Sequence, residues 1–493
     1  MNIQSAASRI DCAPAIRITL IIVSTLALML LAAVTVIAWL DNNFVSRSAY
    51  FIVIPLFVLV NLVFLTVGKR HCASWFLVIA STLFSVYLAE TWFFFTGVDT
   101  RNTHYLARRA GVDNDSRHPL QVVADLRHEG RDAYHAMSPV EVWARSPLGV
   151  PNAVEKGFVD QINLYPVAGI PQATLVLCNE GGYFPFYDSD EHGFNNPSGL
   201  HDGTPVDIVL IGDSFTQGWC VDPSDNIAGH LKKLKSDIRV ANLGISGHGP
   251  LLELAVLREY AQRLRPAKVY WLFFEGNDLK ELMLRGKNPV LTQYLNDPGY
   301  TQNLAARRDE VGALLRGVHD RMYASIEGLG KSSKPNRDNL LFKLRESGFA
   351  SFLVLRDLRE AVYAAVVRTM SSWRSKQLVP DLERTAAFAV LKDIFQSARD
   401  LVTGWGGELV VVYIPGIQTI VSDKLDPQLA QYAKETKAVI QAVELPLIDL
   451  SPTFRNLQDP LSVLPFRTRN HFNSRGYEVV AEQILADLNR QNP

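Results

Sequence analysis

The chain has 493 residues, with 49 lysines and arginines against 50 aspartates and glutamates, for a net charge of −1. That balance lacks the basic excess a nucleic-acid partner demands, and four cysteines are too few for a disulfide-built scaffold. The 48% hydrophobic content is inflated by apolar runs near the N-terminus.

Residues 18–40, bounded by Arg17 and Asp41, are uncharged and long enough to cross a bilayer. A second run covers about 50–68 and ends at Lys69-Arg70; a third covers about 74–96. The first is too long for a signal peptide and lacks a small-residue cleavage pattern, so it reads as retained. The expectation is a three-helix membrane anchor over 1–98, with the lipid bilayer as partner. Trp92 and Phe93–Phe95 suit an interfacial belt. Glu90 nearby reads either as a functional intramembrane carboxylate or as a hydrated group at the interface. Arg9 and Arg17 before the first run, and Lys69 and Arg70 between the second and third, outweigh Arg47, which Asp41 offsets. This bias predicts a multi-pass bacterial inner-membrane protein with a cytoplasmic N-terminus and its catalytic domain periplasmic. Cys12 and Cys72 then lie inside. Cys178 and Cys220 lie where an oxidising compartment permits a bond, although sequence alone does not pair them.

Residues 99–205 form a lead-in region. Thr103–Trp143 is polar with helical patches, and Ala173–Cys178 alternates like a strand. From Gly181 to Pro197, aromatics interleave with acids and turn formers. The run reads as a sugar-stacking surface or as a turn-rich segment packed on a sheet edge.

Residues 206–493 carry the chemistry. Ile208–Ile211 is a buried-strand pattern that runs into Gly212-Asp213-Ser214-Phe215. A serine where a strand turns into a helix has its hydroxyl exposed at the sheet edge, with helix-start amides facing any developing negative charge. A strand expected at Ile238–Ala241 leads to Asn242-Leu243-Gly244-Ile245-Ser246-Gly247-His248-Gly249, whose glycines let the backbone approach a ligand closely. Tyr270–Phe274 is a third strand, ending in Glu275-Gly276-Asn277-Asp278.

A helical insertion follows at about 283–385, with amphipathic stretches at Asn303–Ile326 and Phe349–Trp373 and a loop at Lys331–Asp338. It reads equally as a lid or substrate wall and as a structural subdomain. Glu408–Pro415 is a fourth strand, Pro427–Ala442 a helix and Leu445–Leu450 a fifth strand. His471, in Asn470-His471-Phe472-Asn473, precedes a last helix over Gly476–Leu488. The pattern predicts an α/β fold, a flavodoxin-like doubly wound sheet of about five parallel strands, with the site at their carboxyl edge.

These four blocks together resemble the SGNH (GDSL-like) hydrolase family over roughly residues 206–278 and 406–490. The acidic lead-in resembles those found ahead of membrane-linked bacterial members from polysaccharide pathways. By that resemblance Ser214 is the nucleophile and His471 its base. The Ser214 amide, the Gly247 amide and the Asn277 side chain form the oxyanion hole. The sequence departs from the family in its last block, where Thr468 stands in place of the aspartate that orients the imidazole. A hydroxyl accepts a hydrogen bond but carries no charge to stabilise an imidazolium. Glu275, which replaces a family glycine, is one candidate for the missing carboxylate; Asp449 and Asp459 are outsiders. The alternatives left open are a Ser–His dyad, a carboxylate from elsewhere, or weak activity.

No metal-ligating spacing and no phosphate-binding glycine loop occurs in the sequence, so no cofactor is expected. The resemblance implies a membrane-anchored esterase acting on O-acyl groups, first of all O-acetyl, of cell-envelope or exported carbohydrate. Two alternatives share the apparatus. One is a polysaccharide O-acetyltransferase supplied by a multi-span acyl-donor partner or working with a polysaccharide-synthesis partner. The other is a catalytically weak carbohydrate-binding or assembly module, which Thr468 favours.

Overall fold

A computed structural model describes residues 72–98, 102–136, 164–285, 288–324, 352, 355–375, 381–421, 427–468 and 471–491. The chain divides into two compact units, Met1–Thr100 with Ser333–Lys376, and Arg101–Ser332 with Gln377–Pro493.

In the first unit, the helix Cys72–Thr96 packs on the helix Arg356–Ser375. Glu90 is fully buried there, and its carboxylate accepts the Asp357 N–H at 3.2 Å and the Leu358 N–H at 2.6 Å. It thereby satisfies amides at a helix start that have no partner within their own helix. Tyr87 meets Phe352 with ring centroids 5.5 Å apart. The expected membrane anchor needs correction at this point. Among the described residues no helix is long and apolar enough to cross a membrane. Physically, the helix commits the buried Glu90 carboxylate and the Tyr87 ring to neighbouring protein groups, while Phe84, Leu88, Trp92 and Phe95 stay exposed. The three-span reading and the inner-membrane, periplasmic placement built on it are therefore overturned. The runs at 18–40 and 50–68 lie outside the described residues.

The second unit holds two sheets. The smaller comprises β1 (Ala133–His135), β2 (Thr174–Val176) and β3 (Phe186–Asp188), with β1 parallel and β3 antiparallel to β2. The larger comprises β4 (Ile208–Gly212), β5 (Val240–Asn242), β6 (Lys268–Phe274), β7 (Glu408–Ile414) and β8 (Leu447–Asp449). All its pairs are parallel, in the order β5-β4-β6-β7-β8. Chain direction along the sheet reverses between β4 and β6, and such switch points open a crevice at the carboxyl ends of the strands. Ser214 follows β4 and Asn277 follows β6, so both motifs flank that crevice.

The strands are apolar runs because both faces are covered. Val209, Ile211, Val269, Trp271, Val411 and Tyr413 face one core with the helices Pro250–Val256 and Asp381–Gly404. Their alternates Ile208, Leu210, Tyr270, Leu272, Val410 and Val412 face the other, with the helices Ile227–Leu234 and Ser474–Gln491. Period-two alternation thus fills two cores from one strand, each buried side chain contributing roughly 1.5–3 kcal/mol. β5 is an edge strand, and the lead-in closes it. The Asn196 side chain accepts the Asn242 N–H at 2.8 Å and donates to the Asn242 carbonyl at 2.9 Å, as a further strand would.

Three buried carboxyls, Asp213, Glu253 and Asp278, sit behind the β4 and β6 ends. Asp278 accepts the Phe274 N–H at 2.8 Å, and Glu253 accepts the Trp271 indole N–H. Burial first, then the neighbouring carboxylate charges, raise both Glu253 and Asp278 well above the usual carboxyl range. An acid whose folded pKa exceeds its ordinary 4.5 favours the folded state below that value and loses the advantage as pH rises. Glu253→Gln keeps an acceptor for Trp271 and removes the titration. Relative to wild type, the variant should gain stability between about pH 5 and about pH 8, read as the shift in urea midpoint. Equal shifts at both pH values would show that Glu253 does not titrate differently on folding.

Candidate active site

The nucleophile candidate is set by local backbone chemistry. Asp213 accepts the Phe215 N–H at 2.9 Å and caps the short helix Ser214–Gln217. Ser214 is its first residue, so its own N–H has no carbonyl partner within the helix. Gly218 ends the helix in the left-handed region at φ +83°, and the chain turns at once into Trp219 and Cys220. Gly244 is required by contact rather than by conformation. A Cβ there would lie 2.5 Å from both the Gln217 nitrogen and the Thr216 Cβ. The β5 loop therefore rests directly on the nucleophile helix, and Gln217 fixes it by accepting the Ser246 N–H at 2.7 Å. Gly247, one residue on, adopts φ +75°, which a glycine takes without cost.

His471 arrives from the far end of the chain. Phe472, fully buried, stacks on Phe454 at 4.7 Å and packs edge-on against Phe215 at 5.0 Å, so the loop before the last helix is anchored beside Ser214. His471 Nε2 lies 2.9 Å from Ser214 Oγ. The serine hydroxyl has one proton and a second acceptor, Asp213 Oδ2, at 3.4 Å. The shorter contact favours the imidazole.

The carboxylate on the other side of the ring is Glu180. Its Oε1 lies 3.0 Å from His471 Nδ1, and its Oε2 accepts the His471 backbone N–H at 2.8 Å. This two-point grip fixes the tautomer with hydrogen on Nδ1 and leaves the Nε2 lone pair aimed at Ser214. Burial alone would lower the His471 pKa. The Glu180 charge and hydrogen bond, with a smaller pull from Asp213, outweigh it and leave the imidazole above its ordinary 6.5. The ring keeps 23% side-chain exposure and Glu180 18%, while Ser214 is buried at 6%.

The other expected orienting groups sit elsewhere. Thr468 donates to the Pro465 carbonyl at 3.0 Å. Glu275 accepts from Tyr413 Oη at 2.9 Å and the Gly416 N–H at 2.6 Å, bracing β6 against β7. Asp449 pairs with Lys437 and Asp459 with Arg467. Asn277 lies at the β6 exit; burial raises the Asp213 carboxyl above its ordinary range, and the Asn277 side chain is one of the hydrogen-bond partners that oppose that shift.

No family model matches the chain, and no curated protein matches it. Among solved structures it is similar to an acetyl xylan esterase at 11% identity and a TM-score of 0.30, over 57% of this chain and 99% of that one. It is also similar to a lipase/acylhydrolase from Enterococcus faecalis at 14% identity and 0.30, over 58% and 96% of the two chains. An acetylxylan esterase from Geobacillus stearothermophilus scores 0.29 at 12% identity, over 57% and 93%. Likeness this distant bears no weight on chemistry, which rests on the side chains.

Glu180 is the functional residue that sequence reasoning missed. It occupies the hairpin loop between β2 and β3, in Cys178-Asn179-Glu180-Gly181-Gly182, 291 residues from His471. The one available signal was a cysteine pair. Cys178 and Cys220 are bonded, with Cα atoms 4.9 Å apart, and that bond brings the Glu180 loop to the segment just after Ser214. Among the described residues, Cys178, Glu180 and Cys220 are also the one group whose donor atoms lie within 4.8 Å as for a metal. Two sulfurs already bonded to each other leave no thiolate to ligate one.

Glu180→Gln retains the shape and removes the charge. Turnover of an ester should fall on the order of 100- to 10,000-fold. Because activity needs neutral His471, the rising limb of its pH profile should also move to lower pH, as burial then dominates the imidazole. An unchanged profile would remove Glu180 from the relay.

Proposed function

We propose that the chain is a serine esterase that cleaves O-acyl groups, first of all O-acetyl groups, from carbohydrate through an acyl-serine intermediate. The observation that carries this reading is the continuous relay Ser214 Oγ–His471 Nε2, His471 Nδ1–Glu180. Ser214 attacks the ester carbonyl as His471 takes its proton, and Glu180 stabilises the imidazolium that results. The Ser214 and Gly247 amides and the Asn277 side chain are assigned to the developing oxyanion, each donor contributing about 3 kcal/mol. His471 then protonates the departing alkoxide, and water resolves the acyl-enzyme by the reverse proton path.

Glu180 also weakens the binding-module reading. That reading drew on the absence of an acid before His471, and the acid is supplied from another part of the fold. The carbohydrate assignment is supported by Trp219, half-buried with its ring 6.4 Å from that of His471, a face on which a sugar ring can stack.

The test uses the full chain and its Ser214→Ala variant with para-nitrophenyl acetate, with and without an oligosaccharide acceptor. Serine-dependent release of nitrophenol at an undiminished rate without acceptor is the expected result. Acetyl transfer to the sugar at the expense of hydrolysis would assign the acetyltransferase alternative. Equal rates for the two proteins, both folded, would reject an acyl-serine enzyme.

A further inference from the structure

The loop that carries Glu180 needs an explanation of its own, because one carboxylate must stay within hydrogen-bond distance of an imidazole from a distant segment. Within the hairpin, Leu177 N–H bonds the Pro185 carbonyl at 2.8 Å, and the Asn179 side chain accepts the Gly182 N–H at 2.8 Å. The Asn179 amide also reaches the Asp115 carbonyl at 2.8 Å. These bonds shape the loop but do not tie it to the nucleophile. Tyr187, on the adjoining strand β3, accepts from the Gln217 amide at 2.9 Å; besides Glu180 itself, two links join residues 178–185 to the segment after Ser214 among the described residues. Tyr183 Oη bonds Asp222 Oδ2 at 2.9 Å, an exposed contact worth about 1 kcal/mol or less. The other is the covalent Cys178–Cys220 bond.

Its placement is close to the chemistry. Cys178 lies two residues before Glu180, and Cys220 lies six after Ser214. Both sulfurs lie within 4.8 Å of a Glu180 carboxylate oxygen. Cys220 is buried and holds φ +66°, a left-handed conformation that costs a non-glycine residue about 1–2 kcal/mol and persists only where the surroundings impose it.

We propose that Cys178 and Cys220 are positioning residues for the relay: their disulfide holds Glu180 on His471, so that the oxidised protein has a Ser–His–Glu site and the reduced protein a Ser–His dyad. The inference rests on the esterase reading for its effect on turnover, though not for its effect on His471. Reduction adds two electrons and two protons to the disulfide to give two thiols. A phosphine reductant supplies the electrons, becoming a phosphine oxide whose oxygen comes from water; a dithiol protein would become a disulfide instead.

The experiment treats the full chain with tris(2-carboxyethyl)phosphine and, in parallel, prepares the Cys178→Ala/Cys220→Ala variant. Two quantities are read, turnover of para-nitrophenyl acetate and the titration midpoint of the His471 ring by NMR. The charged and hydrogen-bonding groups facing that ring are Glu180, Asp213 and Ser214, with the apolar rings of Phe215 and Trp219 beside them. On reduction, turnover should fall to the level of Glu180→Gln, a loss on the order of 100-fold or more, and the His471 midpoint should move to lower pH. In the Glu180→Gln background reduction should change neither, since effects through one shared residue are not additive. Three results would overturn the proposal: unchanged turnover and midpoint in the reduced wild type, an equal further loss in Glu180→Gln, or loss of the near-UV circular dichroism, which would make the bond a support of the whole fold. If the oxidised protein shows no Ser214-dependent turnover, the esterase reading fails, and the His471 midpoint alone decides the role of the disulfide.

Discussion

The site depends on the two hydrogen bonds between one carboxylate, Glu180, and one residue, His471. A half-buried imidazole would otherwise be a weaker base than free histidine, because desolvation disfavours its charged form. The Glu180 charge reverses that sign, and its second contact, to the His471 backbone N–H, prevents the ring from turning away from Ser214. Removing this grip leaves a serine and a histidine at 2.9 Å with no group to fix the tautomer or to stabilise the imidazolium.

The lead-in region is consequently part of the site scaffold rather than a linker to it. It supplies Glu180 and the disulfide partner Cys178. It also supplies Asn196, which closes the open edge of β5, Asn195, which donates to the Gln217 carbonyl at 2.9 Å, and Tyr187, which receives the Gln217 amide at 2.9 Å. Gln217 in turn holds the Ser246 N–H beside Gly247. The small sheet and the large one thus share one polar network, and each element of the site is braced from both.

What the sequence revealed follows from what is local. The runs Ile208–Ile211, Tyr270–Phe274 and Glu408–Pro415 are apolar because both sheet faces are covered, and each lies in a strand of the structure. Ser214 and His471 were legible because each sits in a strand-end or pre-helix motif with its own local signature. Glu180 had no such signature: its role is created by a contact across 291 residues, and a lone glutamate in a glycine-rich loop reads as a solvated turn. Thr468 and Glu275 attracted notice by their position relative to His471 and Asn277, yet a local bond to Pro465 occupies Thr468, and bonds across to the β7 end, at Tyr413 and Gly416, occupy Glu275. The apolar run at 74–96 shows the converse error. Hydropathy averages over a helix, whereas the buried bonds of Glu90 to Asp357 and Leu358 are tertiary and leave no mark on the average.

The most direct test of the relay is the rate and site of covalent labelling by a fluorophosphonate, which reacts only with a serine whose proton is being withdrawn. The full chain should carry a single adduct on Ser214. Labelling should be abolished in His471→Ala and slowed on the order of 100-fold or more in Glu180→Gln. An adduct on another serine, or a Glu180→Gln rate equal to that of the wild type, would contradict the Ser214–His471–Glu180 relay.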